Sequence, residues 1–229
     1  MTFYSTADSS VNTYKDSRVL VMTSVDAERD AVLRGLHGER RFDVKLAGVG
    51  QAAAAANTAA ALATAKYDLV VNAGIAGGFA CQAEIGSLVI ANDIVAADLG
   101  AESAEGFLSL DELGFGSSRA PVDLKLAEEA AKALKEAGLP VTTGPILTVS
   151  TVTGSDKTAQ ELAARVPGAA AEAMEGYGVA IAARHYNLPI LEIRAISNQV
   201  GPRNKDAWRI KEALNMLEKA SNVLLEVLK

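Results

Sequence analysis

Glu192–Trp208, EIRAISNQVGPRNKDAW, is the segment on which the fold turns. An apolar run ends in Ser197-Asn198, and the chain breaks at Gly201-Pro202. Upstream, Ala173-Met174-Glu175-Gly176 places a carboxylate at the mouth of an Ala-rich helix. Both segments read as strand ends that deliver polar side chains to one edge of a sheet. In open α/β sheets, ligands bind just beyond the carboxyl ends of strands. A carboxylate and an amide converging there suit a polar small molecule that carries hydroxyls and ring nitrogens.

Outward from that segment, short β-branched runs alternate with Ala-rich helical stretches. Strands are expected at Arg18–Thr23, Arg41–Ala47, Asp68–Asn72, Leu88–Ala96, Val141–Ser150, Ala170–Met174 and Pro189–Ile196. Helices are expected at Ala27–Leu36, Gln51–Ala65, Leu124–Ala137, Lys157–Ala164, Glu175–His185 and Lys205–Leu228. Asp26 and Ser155 suit N-caps. Leu88–Ala96 has little periodicity and should be central. Gly100–Ser118 is polar and Gly-rich without a clear period, so it reads as a long loop of the kind that carries function. The βαβ order predicts a single-domain α/β fold over residues 17–229: a three-layer sandwich with a mixed, mostly parallel central sheet and helices on both faces. Residues 1–16 are polar, lack the apolar centre of a secretion signal, and are expected to form an extension outside the fold.

Composition excludes several classes. At 229 residues and 49% hydrophobic, the chain can bury a substantial core. A formal charge of −6 argues against a nucleic-acid surface, which needs a basic patch. No long apolar run spans a membrane. Cys81 is the one cysteine, so no internal disulfide forms, and a lone thiol fits the reducing cytoplasm. Its neighbours are apolar or small, which reads as a small core residue. His37 and His185 both fall near helix ends, where a cation suits the dipole, and read as structural. No His/Cys/Asp/Glu cluster has metal-ligand spacing, so no metal is expected. Gly48-Val49-Gly50-Gln51-Ala52-Ala53 fits G-x-G-x-x-A, the shape of a dinucleotide fingerprint. It follows the second strand rather than the first, and the next strand ends in Asn72 rather than an acid. It therefore reads as a tight turn with close helix–sheet packing rather than a dinucleotide site.

Four segments, in order, resemble the nucleosidase branch of the nucleoside phosphorylase superfamily: Ser24-Val25-Asp26-Ala27-Glu28, Asn72–Gly78, Ala173-Met174-Glu175-Gly176 and Ser197-Asn198. Within that branch, the extended SNQVGPRNKDAW segment is most similar to the futalosine hydrolases. The resemblance implies cleavage of a nucleoside's N-glycosidic bond by water, without metal or organic cofactor. It also implies a homodimer or higher homo-oligomer in which a neighbour completes the site.

The residue types suit that chemistry. N-glycoside cleavage passes through an oxocarbenium-like sugar. Water must be positioned at the anomeric carbon, the sugar hydroxyls held, and the departing base given a proton or strong hydrogen bonds. Glu28 resembles the family's water-activating glutamate, with Asp30 a substitute in the same role. Read alone, Glu28 is a helix-start acid before it is a catalytic one. Glu175 resembles the ribose-binding glutamate, with Met174 packing on the ribose or base. Ser197 and Asn198 would face the purine. Many adenine-specific nucleosidases carry Asp at the second of these positions. Asn198 cannot act as a general acid, but it can donate one hydrogen bond and accept another, which matches a 6-oxopurine. The resemblance therefore points to a hypoxanthine leaving group. The Gly74–Gly78 stretch, Gly77 included, would bring backbone N–H groups near the ligand. It carries neither the Arg nor the Ser that help the related phosphorylases bind phosphate, so water is the expected nucleophile. Arg203 and Trp208 would pair with and cover a benzoate-bearing 5′ chain. Read alone, they are a solvated loop and a helix anchor. A methylthioadenosine/S-adenosylhomocysteine nucleosidase, a purine nucleoside phosphorylase and a non-catalytic nucleoside binder remain alternatives.

Overall fold

The computed structural model describes Tyr14 and residues 17–228. Its strands are β1 (Val19–Thr23), β2 (Phe42–Leu46), β3 (Leu69–Gly78), β4 (Leu88–Ala96), β5 (Gly100–Ser103), β6 (Gly106–Ser109), β7 (Arg119–Ala120), β8 (Val141–Thr148), β9 (Ala171–Ala173) and β10 (Ile190–Gln199). Its α-helices are α1 (Asp26–Gly35), α2 (Gln51–Thr64), α3 (Leu124–Glu136), α4 (Asp156–Arg165), α5 (Gly176–His185) and α6 (Ile210–Val227).

The sheet is mixed. β1 pairs in parallel with β2 and β3, β3 with β10, β4 with β8, and β8 with β9. The β10–β4, β3–β9 and β4–β7 pairings are antiparallel. Because β10 bonds to both β3 and β4, the path β3–β10–β4–β8–β9–β3 closes on itself. An open sandwich was the expectation, whereas part of this sheet is barrel-like. The cause is local: register shifts at Ile196/Asn198 in β10 and at Ala91/Asp93 in β4 mark bulges. A bulge bends and twists a strand.

Strand β1 shows why periodicity was missing from the sequence. Val19 and Val21 pack into one apolar cluster with residues of α1, α3 and α6, while Leu20 and Met22 pack into another with residues of α2 and α5. A strand covered on both faces has no polar alternation. Ser155 caps α4 as expected, accepting from the Thr158 N–H at 3.1 Å, and Asp123 caps α3, accepting from the Leu126 N–H at 3.0 Å. At α1 the N-cap is Val25, and Asp26 is the first helical residue.

Several expectations need correction. The Asn72–Gly78 stretch continues β3 as a strand, because β10 bonds along it as far as Gly78. Gly100–Ser118 holds the β5–β6 hairpin and a turn in which Asp111 accepts from Ser117 and Ser118. The final helix begins at Ile210, not Lys205: a 3₁₀ turn over Lys205–Ala207 ends at an extended Trp208. The Arg209 N–H donates to the Ser197 carbonyl at 2.7 Å, which ties the chain to β10 and stops the turn from running on. Cys81 is exposed, at φ 65° in the turn after β3, rather than in the core. The expected extension lies outside the described residues except for Tyr14, which packs against the α1/α3/α6 cluster and bonds Asp123. Burial and Asp123 push its phenol well above the usual range. No helix among the described residues is long and apolar enough to cross a membrane.

Candidate active site

A cavity of about 380 Å³ opens where the carboxyl ends of β3, β9 and β10 meet the first turns of α1 and α5. It is lined by Glu28, Gly77, Met174, Glu175, Ser197, Asn198, Arg203 and Trp208, so these eight residues singled out in the sequence are brought to one place. Asp30 is not among the lining residues; it bonds Arg29 at 2.9 Å on the exposed side of α1.

Glu28 is the third residue of α1 and only 3% exposed. One carboxylate oxygen accepts from the Ser24 and Val25 N–H groups at 2.8 and 3.3 Å, and the other accepts from the Ile75 N–H at 2.8 Å. The first pair satisfies donors that a helix start leaves open. The third ties α1 to β3 across the sheet edge. Gly74 makes the approach possible: a Cβ there would lie 2.7 Å from a Glu28 oxygen and 2.7 Å from an Arg194 nitrogen. Glu28 is therefore both a helix-start acid and part of the cavity wall.

Glu175 caps α5 and is 5% exposed. It accepts from the Gly50 N–H at 3.4 Å, from the Met174 N–H at 3.3 Å and from Arg194 at 3.4 Å. Gly50 belongs to the G-x-G-x-x-A stretch, where Gly48 and Gly50 have φ of 77° and 88°. That stretch is a turn between β2 and α2, and it feeds a backbone donor and Val49 into the cavity.

The bulge in β10 falls at Ser197. Bulges re-aim side chains, and both Ser197 and Asn198 line the cavity. The Ser197 hydroxyl donates to the Asn198 side-chain oxygen at 2.8 Å and lies 3.2 Å from the Ala76 carbonyl. The Asn198 amide nitrogen donates to the Gln199 carbonyl at 3.0 Å. Arg203 is exposed, with its guanidinium 5.1 Å from the Trp208 ring centroid.

Beneath the cavity lies a buried ionic cluster that sequence reasoning missed. Arg194, 1% exposed, donates to Glu192 at 2.8 Å and to Glu175 at 3.4 Å. Asn72 donates to Glu192 at 3.0 Å. Burial works against the Arg194 charge, yet Glu192, Glu175 and Glu28 outweigh it and hold the guanidinium above its ordinary value. Burial pushes the Glu192 carboxyl up, and Arg194 and Asn72 oppose it. A signal was present: Glu192-Ile193-Arg194 sits inside an otherwise apolar strand, and charges are buried only when paired. Glu172 and Thr153 also line the cavity unannounced.

Residues 15–229 match one family model, the phosphorylase superfamily. A futalosine hydrolase of Streptomyces coelicolor is 49% identical over 92% of this chain and 96% of its own length. This chain belongs to the futalosine hydrolase family of the phosphorylase superfamily. A second member, from Acidothermus cellulolyticus, is 47% identical over 88% of this chain and 87% of its own. Among solved structures, the 5′-methylthioadenosine/S-adenosylhomocysteine nucleosidase of Neisseria meningitidis in complex with methylthio-immucillin-A superposes with a TM-score of 0.78. It covers 92% of this chain and 98% of that one at 21% identity, so it speaks for the fold. In this chain, three buried carboxylates and an amide face one cavity, with the Arg194 guanidinium beneath.

Proposed function

We propose that the chain hydrolyses the N-glycosidic bond of futalosine, releasing hypoxanthine and dehypoxanthine futalosine, a step of menaquinone biosynthesis by the futalosine route. Residues 17–229 act as one hydrolase domain. The observation that carries this reading is the shared cavity: Glu28 and Glu175 line it together with an amide, Asn198, where an acid would suit adenine.

Glu28 takes a proton from water as the water oxygen bonds to the anomeric carbon and the bond to the base nitrogen breaks. The electron pair leaves with the base. Glu175 accepts hydrogen bonds from the 2′- and 3′-hydroxyls, and its charge stabilises the cationic sugar. Met174 packs on the ribose, and Gly77 leaves room for the base. Ser197 orients Asn198, which bonds to the departing purine. Arg203 pairs with the carboxylate of the 5′ chain, and Trp208 covers its ring. The steps call on no metal or organic cofactor. The enzyme works in the cytoplasm as a homodimer or higher homo-oligomer; Phe115, 80% exposed beside the β5–β6 hairpin, supports such a contact.

Incubation with futalosine, inosine and methylthioadenosine in phosphate-free buffer tests the reading, with released base followed by chromatography. Hypoxanthine from futalosine is the expected product. Adenine from methylthioadenosine would make the chain an adenine nucleosidase, and release only with added phosphate would make it a phosphorylase.

A further inference from the structure

Three strands carry one row of residues across the floor of the cavity. Asn198 of β10 is paired with Gly77 of β3, and Gly77 is paired with Glu172 of β9. Residues paired across strands point to the same face of a sheet. Asn198 and Glu172 therefore stand on either side of a residue with no side chain, and all three line the cavity. A Cβ on Gly77 would lie 3.2 Å from the Asn198 amide nitrogen and 3.0 Å from Val200, so the slot stays open only with glycine.

Glu172 is 4% exposed and has no cation in hydrogen-bond reach. Its two oxygens accept from the Thr153 N–H, at 2.9 Å, and from the Thr153 hydroxyl. One donor per oxygen leaves acceptor capacity on each. A carboxylate is costly to bury, and the fold could have closed this position with an apolar residue. Burial pushes the Glu172 carboxyl up, while both Thr153 bonds favour the charged, accepting form.

The hydrogen bonds of Asn198 define what the base still needs. Its side-chain oxygen accepts from the Ser197 hydroxyl and its amide nitrogen donates to the Gln199 carbonyl, which leaves the second amide N–H as a donor toward a ligand and one oxygen lone pair. A donor serves the O6 and N7 acceptors of a 6-oxopurine and leaves its N1–H without a partner. Two strand spacings set the backbones of Glu172 and Asn198 about 10 Å apart, which leaves room for a planar base between their side chains.

We propose that Glu172 is the second base-recognition residue, accepting the N1–H of hypoxanthine while Asn198 donates to its N7 and O6 edge. The proposal rests on hypoxanthine being the leaving base. Adenine presents a lone pair at N1, which would face the carboxylate, so Glu172 discriminates against 6-aminopurines. Its Thr153 bonds hold it upright in the slot.

Glu172→Gln tests this, because Gln keeps an acceptor and a donor for Thr153 but offers the base an amide. Release of hypoxanthine from futalosine should fall by roughly 10- to 100-fold in kcat/KM. The ratio of futalosine to its 6-amino analogue should fall further, because the analogue gains a donor at N1. That gain cannot arise from misfolding. A ratio within about twofold of wild type would overturn the proposal. In the wild-type enzyme, hypoxanthine should inhibit at least about tenfold better than adenine and 1-methylhypoxanthine. Equal inhibition by all three would overturn it even if the variant failed to fold. Wild-type enzyme that released no hypoxanthine from futalosine would instead sink the functional reading itself.

Discussion

Two hollows in this molecule differ in what their walls are made of. The larger, about 1110 Å³, lies under the β5–β6 hairpin and is lined by Glu102, Asp111, Glu112, Arg119 and Arg165 among others. Its charges are mostly at the surface and satisfied locally: Arg119 pairs with Asp93, Arg165 lies 3.6 Å from the Phe107 ring centroid, and Asp111 bonds Ser117 and Ser118. The smaller, about 380 Å³, has Glu28, Glu172, Glu175 and Ser197 in its walls, all buried. Each is held by backbone or side-chain partners while presenting remaining lone pairs inward. Surface charges facing water are screened and mobile. Fixed charges in a dry wall act strongly on a developing cation. Space does not mark the site; buried polarity does.

The sharpest way to break that contrast is at Glu28. Glu28→Gln should lower kcat for futalosine about 10³-fold with little change in KM. It should also destabilise the fold by about 1–2 kcal/mol, since a single amide oxygen cannot accept from Ser24, Val25 and Ile75 together. Arg165→Ala in the larger hollow should leave kcat within about twofold. Steady-state kinetics with urea denaturation separates these effects. Equal losses in both hollows would end the distinction.

The ionic cluster under the smaller cavity comes next. Arg194→Met should cost about 3–5 kcal/mol of stability, because it strands Glu192 and Glu175 without their cation. Replacing Glu192 by Met as well should recover a large part of that loss, because burying neither charge is better than burying one. Urea midpoints of the single and double variants read the outcome. A double variant no more stable than Arg194→Met would mean that the pair contributes through its packing.

Legibility in the sequence followed the same division. The polar ends of strands were readable, since Ser197-Asn198 and Met174-Glu175 each close an apolar run at a break. The residues behind them were marked only by two charges inside an apolar strand, Glu192 and Arg194, with nothing to name their partners. Glu192 and Arg194 share one face of β10, but Asn72 joins them only because β3 and β10 pair in parallel, with Glu192 opposite Asn72. No spacing within one segment encodes that register. Glu172 was hidden for the same reason, being one strand from Gly77 but far away along the chain. The doubly covered strands were legible as apolar runs, yet the closure of β10 onto both β3 and β4 depended on bulges that composition does not mark. The hairpin in Gly100–Ser118 escaped notice because its strands have four residues each and one exposed face, too short for a period to show.

At the cavity's outer rim the walls are again exposed, and smaller effects follow. Arg203→Ala and Trp208→Ala should each raise KM for futalosine by about tenfold, with kcat and the KM for inosine little changed, because inosine lacks the 5′ chain. The guanidinium and ring are already paired 5.1 Å apart, so losing either also loosens the other. Equal effects on the two nucleosides would remove Arg203 and Trp208 from substrate recognition and leave them as a loop anchor.

The smallest effect belongs to the larger hollow and to stability alone. Hydrogen bonds from the Ser118 hydroxyl and N–H, with a further one from Ser117, hold the Asp111 carboxyl down at about 2. An unfolded aspartate titrates near 3.9. The folded state therefore favours the charged form, and its stabilisation is fully present above the unfolded value. It is lost as pH falls from about 4 to about 2. Asp111→Asn should lower the melting temperature slightly at pH 7, leave kcat and KM unchanged, and converge with wild type at the acid end of that window. The screening of a fully exposed carboxylate keeps the effect small. A gap that persisted unchanged at low pH would show that the Asp111 bonds stabilise the turn through their geometry rather than through the charge.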